Sequence, residues 1–132
     1  MTEAARWLEQ ARRDLDDAVF AASGRRWNLA CFLAQQSAEK ASRGYLFFRG
    51  AESVWGPSVA ELCHDAARHD PAFATLGAEA AALDQYYIPT RYPNGLPGGI
   101  PADAYTRSDG ERALALCRSV LDLVARQRET PA

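Results

Sequence analysis

The chain is 132 residues long, enough for one continuous core and too short for two. Hydrophobic residues make up 48% and charged residues 24%, an ordinary globular balance that excludes a disordered chain. The formal net charge of −2 excludes a general nucleic-acid coat protein, which needs a basic surface to release counterions, but leaves room for a local basic patch.

The expected elements are all helical. Over residues 3–22 the positions Ala4, Leu8, Ala11, Leu15, Ala18, Val19 and Ala22 recur at three- and four-residue steps, the stripe of an amphipathic helix stopped at Ser23-Gly24. A second helix is expected over 26–49, ending at Gly50. Its stripe of Trp27, Ala30, Ala34, Ala38, Ala41, Tyr45 and Phe48 is widened by Leu29, Phe32, Leu33, Leu46 and Phe47, which places it centrally among several neighbours. Ser58-x-x-Glu61 and Ser108-x-x-Glu111 fit the capping box, and Asp70-Pro71 sets a capping carboxylate before a proline at the first helical position. These signals open helices over about 58–69, 71–87 and 108–128. No stretch alternates as a strand. The expectation is an all-α fold, a five-helix, mostly up-and-down antiparallel bundle in a single domain over 1–132.

The connection between the fourth and fifth helices stands apart. Residues 88–107 carry prolines at 89, 93, 97 and 101 and glycines at 95, 98 and 99, and a loop of this length in a small domain carries function or is disordered. Its prolines favour a fixed extended path.

The junction Leu83-Asp84-Gln85-Tyr86-Tyr87-Ile88-Pro89-Thr90-Arg91-Tyr92-Pro93 mixes guanidinium and hydroxyl donors with aromatic faces, and Tyr105 and Arg107 stand at the far end. Such a set suits a phosphorylated aromatic ligand, since Arg pairs with phosphate and tyrosine stacks on a base. The alternative is that the tyrosines anchor the loop and Arg91 pairs with Asp84. Basic residues are unevenly chosen, fourteen Arg against the single Lys40. Either coding bias or a need for an ammonium at that place explains it. Glu39 and Lys40 are neighbours and cannot pair face to face on a helix, so Glu39 is expected to bond Arg43. Arg91, Tyr92, Thr90, Tyr87 and Asp84, with Lys40 and Glu39 from the second helix, form the candidate ligand-binding set.

Other chemistry is weakly signalled. Cys31, Cys63 and Cys117 lack Cys-x-x-Cys spacing and read as reduced core thiols in a cytoplasmic protein. Glu61-x-x-His64 is half of a carboxylate di-metal set without its second half. No glycine-rich phosphate loop, dinucleotide fingerprint or nucleophile elbow occurs, so no metal or cofactor is expected. No apolar run of spanning length is present, and Met1 to Trp7 is polar, without the core of a signal peptide.

Three segments together carry a family resemblance: Ala4-x-x-Trp7-Leu8-x-x-Ala11-x-x-Asp14-Leu15, Phe32-x-x-Gln35-Gln36-x-Ala38-Glu39-Lys40, and Leu83-Asp84-x-Tyr86-Tyr87-Ile88-Pro89-Thr90-Arg91-Tyr92-Pro93. The chain resembles a HEPN domain over roughly residues 4–125. The resemblance implies a two-fold homodimer with a groove at its interface. It also implies a partner, a minimal nucleotidyltransferase, in a toxin–antitoxin-like pair. Many members of that family are metal-independent ribonucleases with an Arg, four to six residues, then a His. This sequence departs there: His64 and His69 are its histidines, and no His follows Arg91. Gly56-Pro57-Ser58 also stands where the family commonly has Gly-His-Ser. Acid–base cleavage lacks its usual neutral-pH carrier, so the expected protein is a non-catalytic nucleotide binder. A divergent ribonuclease, with Arg91 and tyrosines, or His64 from the partner subunit, in place of the missing His, and a ligand-free protein-interaction module are the alternatives.

Overall fold

The computed structural model describes residues 1–128, so 129–132 of the expected domain lie outside the described residues. Helix α1, Glu3–Ser23, begins at Thr2, whose Oγ1 accepts from the Ala5 N–H at 3.1 Å. Its buried stripe is Ala4, Leu8, Ala11, Asp14, Ala18 and Ala21. Val19, expected in the core, is exposed, and Asp14 takes a place on the apolar face because Lys40 bonds it at 2.7 Å. Arg25 turns the chain with a left-handed backbone, φ 61°, into α2, Trp27–Phe48.

Helix α2 is central, as its broad stripe requires, and packs on α1, on the third helix and on the last. Gly44 lets α1 approach: a Cβ there would lie 2.8 Å from Leu8 Cγ. Helix α3, Val59–Ala66, starts at Ser58, whose Oγ accepts from the Glu61 N–H at 3.1 Å. Helix α4, Ala72–Ala80, begins beyond Asp70, whose carboxylate accepts from the Ala72 N–H at 2.8 Å. The single helix expected over 71–87 instead tightens into a 3₁₀ segment, Ala81–Tyr86, that carries Asp84 to the start of α3.

The long connection is ordered by short elements, a 3₁₀ turn at Pro93–Gly95 and a one-turn helix α5, Pro101–Ala104, with Pro101 at its first position. Helix α6, Arg107–Arg128, closes the bundle. Its cap is Thr106 and not Ser108. Thr106 N donates to Asp109 Oδ2 at 2.9 Å and Thr106 Oγ1 accepts from Asp109 N at 3.3 Å, a reciprocal box two residues earlier than the sequence signal. The described residues are all-α, without a strand, and α5 is the one helix the sequence reading lacked. The core centres on Tyr45, its ring 4.5 Å from that of Phe73, with Leu62, Leu83, Val120 and Val124 fully buried. No described helix is long and apolar enough to cross a membrane.

Candidate functional site

The prolines and short turns of residues 88–107 lay the connection across the N-terminal end of α2. Gly95 packs against the backbone of Pro89, where a Cβ would stand 2.9 Å from Pro89 Cα, so the loop folds back on itself. Thr90 is 1% exposed. Its hydroxyl donates to the Tyr86 carbonyl, and its own carbonyl accepts from Asn28 Nδ2 at 3.2 Å, tying loop to helix. Tyr86 is buried with its ring edge-on to Tyr105 at 5.9 Å, and burial pushes both phenols above their ordinary value of 10.0. These two tyrosines are anchors, as the packing alternative held.

Arg91 is different. Its Cζ lies 4.3 Å from the Phe32 ring centre, 4.9 Å from that of Tyr87 and 5.2 Å from that of Tyr92. Its Nε donates to the Tyr87 carbonyl at 2.9 Å. Among the described residues no carboxylate lies within ion-pair distance of it, so the expected alternative partner, Asp84, is not one. A guanidinium carries five N–H donors. One is spent on the loop, three rings lie near the guanidinium, and the Nη groups remain. Arg91, itself exposed, helps line an open recess of about 380 Å³ together with Asn28, Leu29, Phe32, Thr90 and Ile100, among others, a size suited to a small ligand.

The remaining candidates fall elsewhere. Asp84 caps α3: its carboxylate accepts from Val59 N at 2.8 Å, Ala60 N at 3.0 Å and Ser58 Oγ at 2.9 Å. A carboxylate at a helix N-terminus with these partners is consumed by the fold. Glu39 is buried and bonds Arg43, as its i+4 spacing predicts. Lys40 lies in the α1–α2 seam, bonded to Asp14 and, at 3.2 Å, to Gln36 Oε1. It is eight residues from Phe32, roughly 12 Å along the helix axis, and does not line the recess. The structure therefore gathers Arg91, Thr90, Tyr87 and Tyr92 and leaves Asp84, Lys40 and Glu39 in intramolecular contacts. Phe32, Asn28 and Ile100 are recess residues that the set lacked. Phe32 was legible as the first residue of the Phe-x-x-Gln-Gln segment, whereas nothing in the sequence distinguished Asn28 or Ile100. Among the described residues no cluster of His, Cys, Asp and Glu is placed to hold a metal ion.

The model of the HEPN domain matches residues 4–127. The chain belongs to the HEPN domain family. Solved structures agree: TT1696 from Thermus thermophilus is 40% identical, with a TM-score of 0.89, over 96% of this chain and 98% of that one. An archaeal HEPN homologue is 38% identical, TM-score 0.80, over 97% of this chain and 99% of its own. A HEPN domain protein from Thermotoga maritima, 25% identical with a TM-score of 0.76, covers 96% and 99%. No curated protein matches the chain. In this HEPN chain neither histidine lines the Arg91 recess.

Proposed function

We propose that this HEPN protein is a cytoplasmic homodimer that binds a nucleotide or other phosphate-bearing ligand at the Arg91 recess and partners a separate minimal nucleotidyltransferase. The observation that supports ligand binding is the state of Arg91: its guanidinium lies close to three aromatic rings, is free of carboxylates among the described residues, and stands beside a hollow. A guanidinium packed in this way loses little freedom when its Nη groups meet a phosphate. Tyr92, half exposed, offers the adjoining ring face to a base. Exposed Leu29 and Ile100 line the same recess, and exposed Ile88 and Tyr92 stand close to them in the loop, apolar surface that a second copy would cover. The buried free thiols fit a reducing compartment. The nucleotidyltransferase partner rests on family resemblance, and co-purification with such a protein encoded beside the gene tests it; failure to co-purify contradicts it.

Calorimetry with AMP, ATP and GTP tests the ligand. One of them binds tighter than about 1 mM, and Arg91→Ala weakens it about tenfold or more, the worth of one charge-assisted hydrogen bond. Equal affinity in the variant, or no binding by the native protein, contradicts the reading.

A further inference from the structure

A second hollow, about 630 Å³, lies away from Arg91. It lies where α2 ends and α3 runs out, with Arg49, Arg68, His69 and Trp55 among its lining residues. Arg49 is seventeen residues beyond Phe32, roughly 25 Å along the axis of α2, so the two recesses occupy opposite ends of the molecule.

Trp55 is 85% exposed, a costly position for an indole that packs nothing. The backbone on either side of it is held in place. Arg43, whose side chain is 12% exposed, donates to the carbonyls of Val54 at 2.7 Å and of Gly56, the residues on either side of Trp55, while Glu39 and the Trp7 ring fix its guanidinium. Gly56 supplies the φ of 88° that the turn needs. A buried ion pair thus clamps a loop whose outward product is one bare indole face.

The cations behind it are without carboxylate partners among the described residues, although Arg49 also anchors to the core through Tyr45. Arg49 donates from Nε to the Tyr45 hydroxyl at 3.0 Å and lies over that ring, and His69 meets the same ring edge-on at 6.3 Å, so buried Tyr45 brings the two together. Helix C-termini attract cations, but here the last carbonyls of both helices already accept backbone N–H groups: Tyr45 and Leu46 from Arg49 and Ala51, Cys63 and Ala66 from Ala67 and His69. Among the described residues neither Arg49 nor Arg68 forms an ion pair. Asp65 is the one carboxylate lining the recess, against two permanent positive charges.

We infer that this recess is a second binding site, separate from Arg91, for a phosphomonoester attached to a planar ring: the phosphate sits between Arg49 and Arg68, the ring stacks on Trp55, and Asp65 accepts from a hydroxyl or amino group. Cations on the wall of a recess with one rigid aromatic at its edge suit a small planar anion better than a protein partner, whose anchors bury a tryptophan amid apolar surface.

Titration of the ¹⁵N-labelled protein with AMP, followed by amide and indole N–H signals, locates binding directly. The Trp55 indole, assigned from Trp55→Phe, and amides of residues 49–69 shift saturably, and Arg68→Ala, an exposed position, weakens that response about tenfold. Adenosine and inorganic phosphate each bind far more weakly than AMP. The inference is overturned by AMP leaving residues 49–69 unmoved, by an unchanged affinity in Arg68→Ala, or by adenosine or phosphate alone binding as tightly as AMP. Shifts at 86–102 report the Arg91 recess independently, so the two sites stand or fall separately.

Discussion

Three charged side chains that read as ligands in the sequence, Asp84, Glu39 and Lys40, make intramolecular contacts, and for the first two the structural role is measurable. Removing the Asp84 carboxylate strips Val59, Ala60 and Ser58 of their acceptor, so Asp84→Ala lowers stability by about 2 kcal/mol. Its remaining folded fraction keeps the ligand affinity of the native protein; a stable variant with lost affinity contradicts the capping role. Glu39→Ala leaves the Arg43 guanidinium without its carboxylate in a nearly closed setting and costs about 3 kcal/mol in urea unfolding. A cost within experimental error contradicts the clamp. The pairing of Glu39 with Arg43 was legible because i and i+4 positions adjoin on a helix. Asp84 was not legible, because its donors come from residues about 25 earlier in the chain, a contact that local spacing does not encode.

At the scale of elements, periodicity located every long helix, and caps decided their ends less reliably. Ser108-x-x-Glu111 fits the capping pattern, yet Thr106 with Asp109 takes the position, because both boxes satisfy the pattern and only the path of the preceding chain chooses between them. Thr106→Ala therefore costs about 1 kcal/mol in thermal or urea unfolding, and Ser108→Ala less than about 0.5 kcal/mol. The reverse order contradicts the assignment. The α1 stripe erred at Asp14 for a related reason: a charge joins an apolar face when a lysine from another helix meets it. Helix α5 escaped notice because four residues hold no period, although Pro101 marked its start. Close approach of α1 and α2 depends on Gly44. Gly44→Ala drives a methyl into Leu8 and destabilises by about 1–3 kcal/mol, and an unchanged unfolding midpoint contradicts that packing.

For the whole molecule, burial sets the response to alkali. It pushes Cys31 from 9.0 to about 12 and Cys117 from 9.0 to about 11, with Asp109 adding to the rise at Cys31. Unfolded thiols lose their protons as pH passes 9 while folded ones retain them, so stability is full below that pH and falls as pH climbs toward 11 and 12. Each thiol contributes a loss of about 1 kcal/mol per pH unit in that window. Urea midpoints are lower at pH 10 than at pH 8, and equal midpoints contradict the effect. The proposed dimer would bury the exposed apolar residues beside the Arg91 recess: the native protein is expected to sediment as a dimer and Ile100→Glu as a monomer, and a monomeric native protein or an unaffected variant contradicts that interface.

The account turns on whether Arg91, caged by Phe32, Tyr87 and Tyr92, presents its free edge to a phosphate. A crystal structure of the protein grown with AMP reads this directly. The prediction is a phosphate with its oxygens about 3 Å from the Arg91 Nη atoms, within the recess bordered by Leu29 and Ile100. An Arg91 edge left without ligand, with AMP bound elsewhere or nowhere, contradicts it.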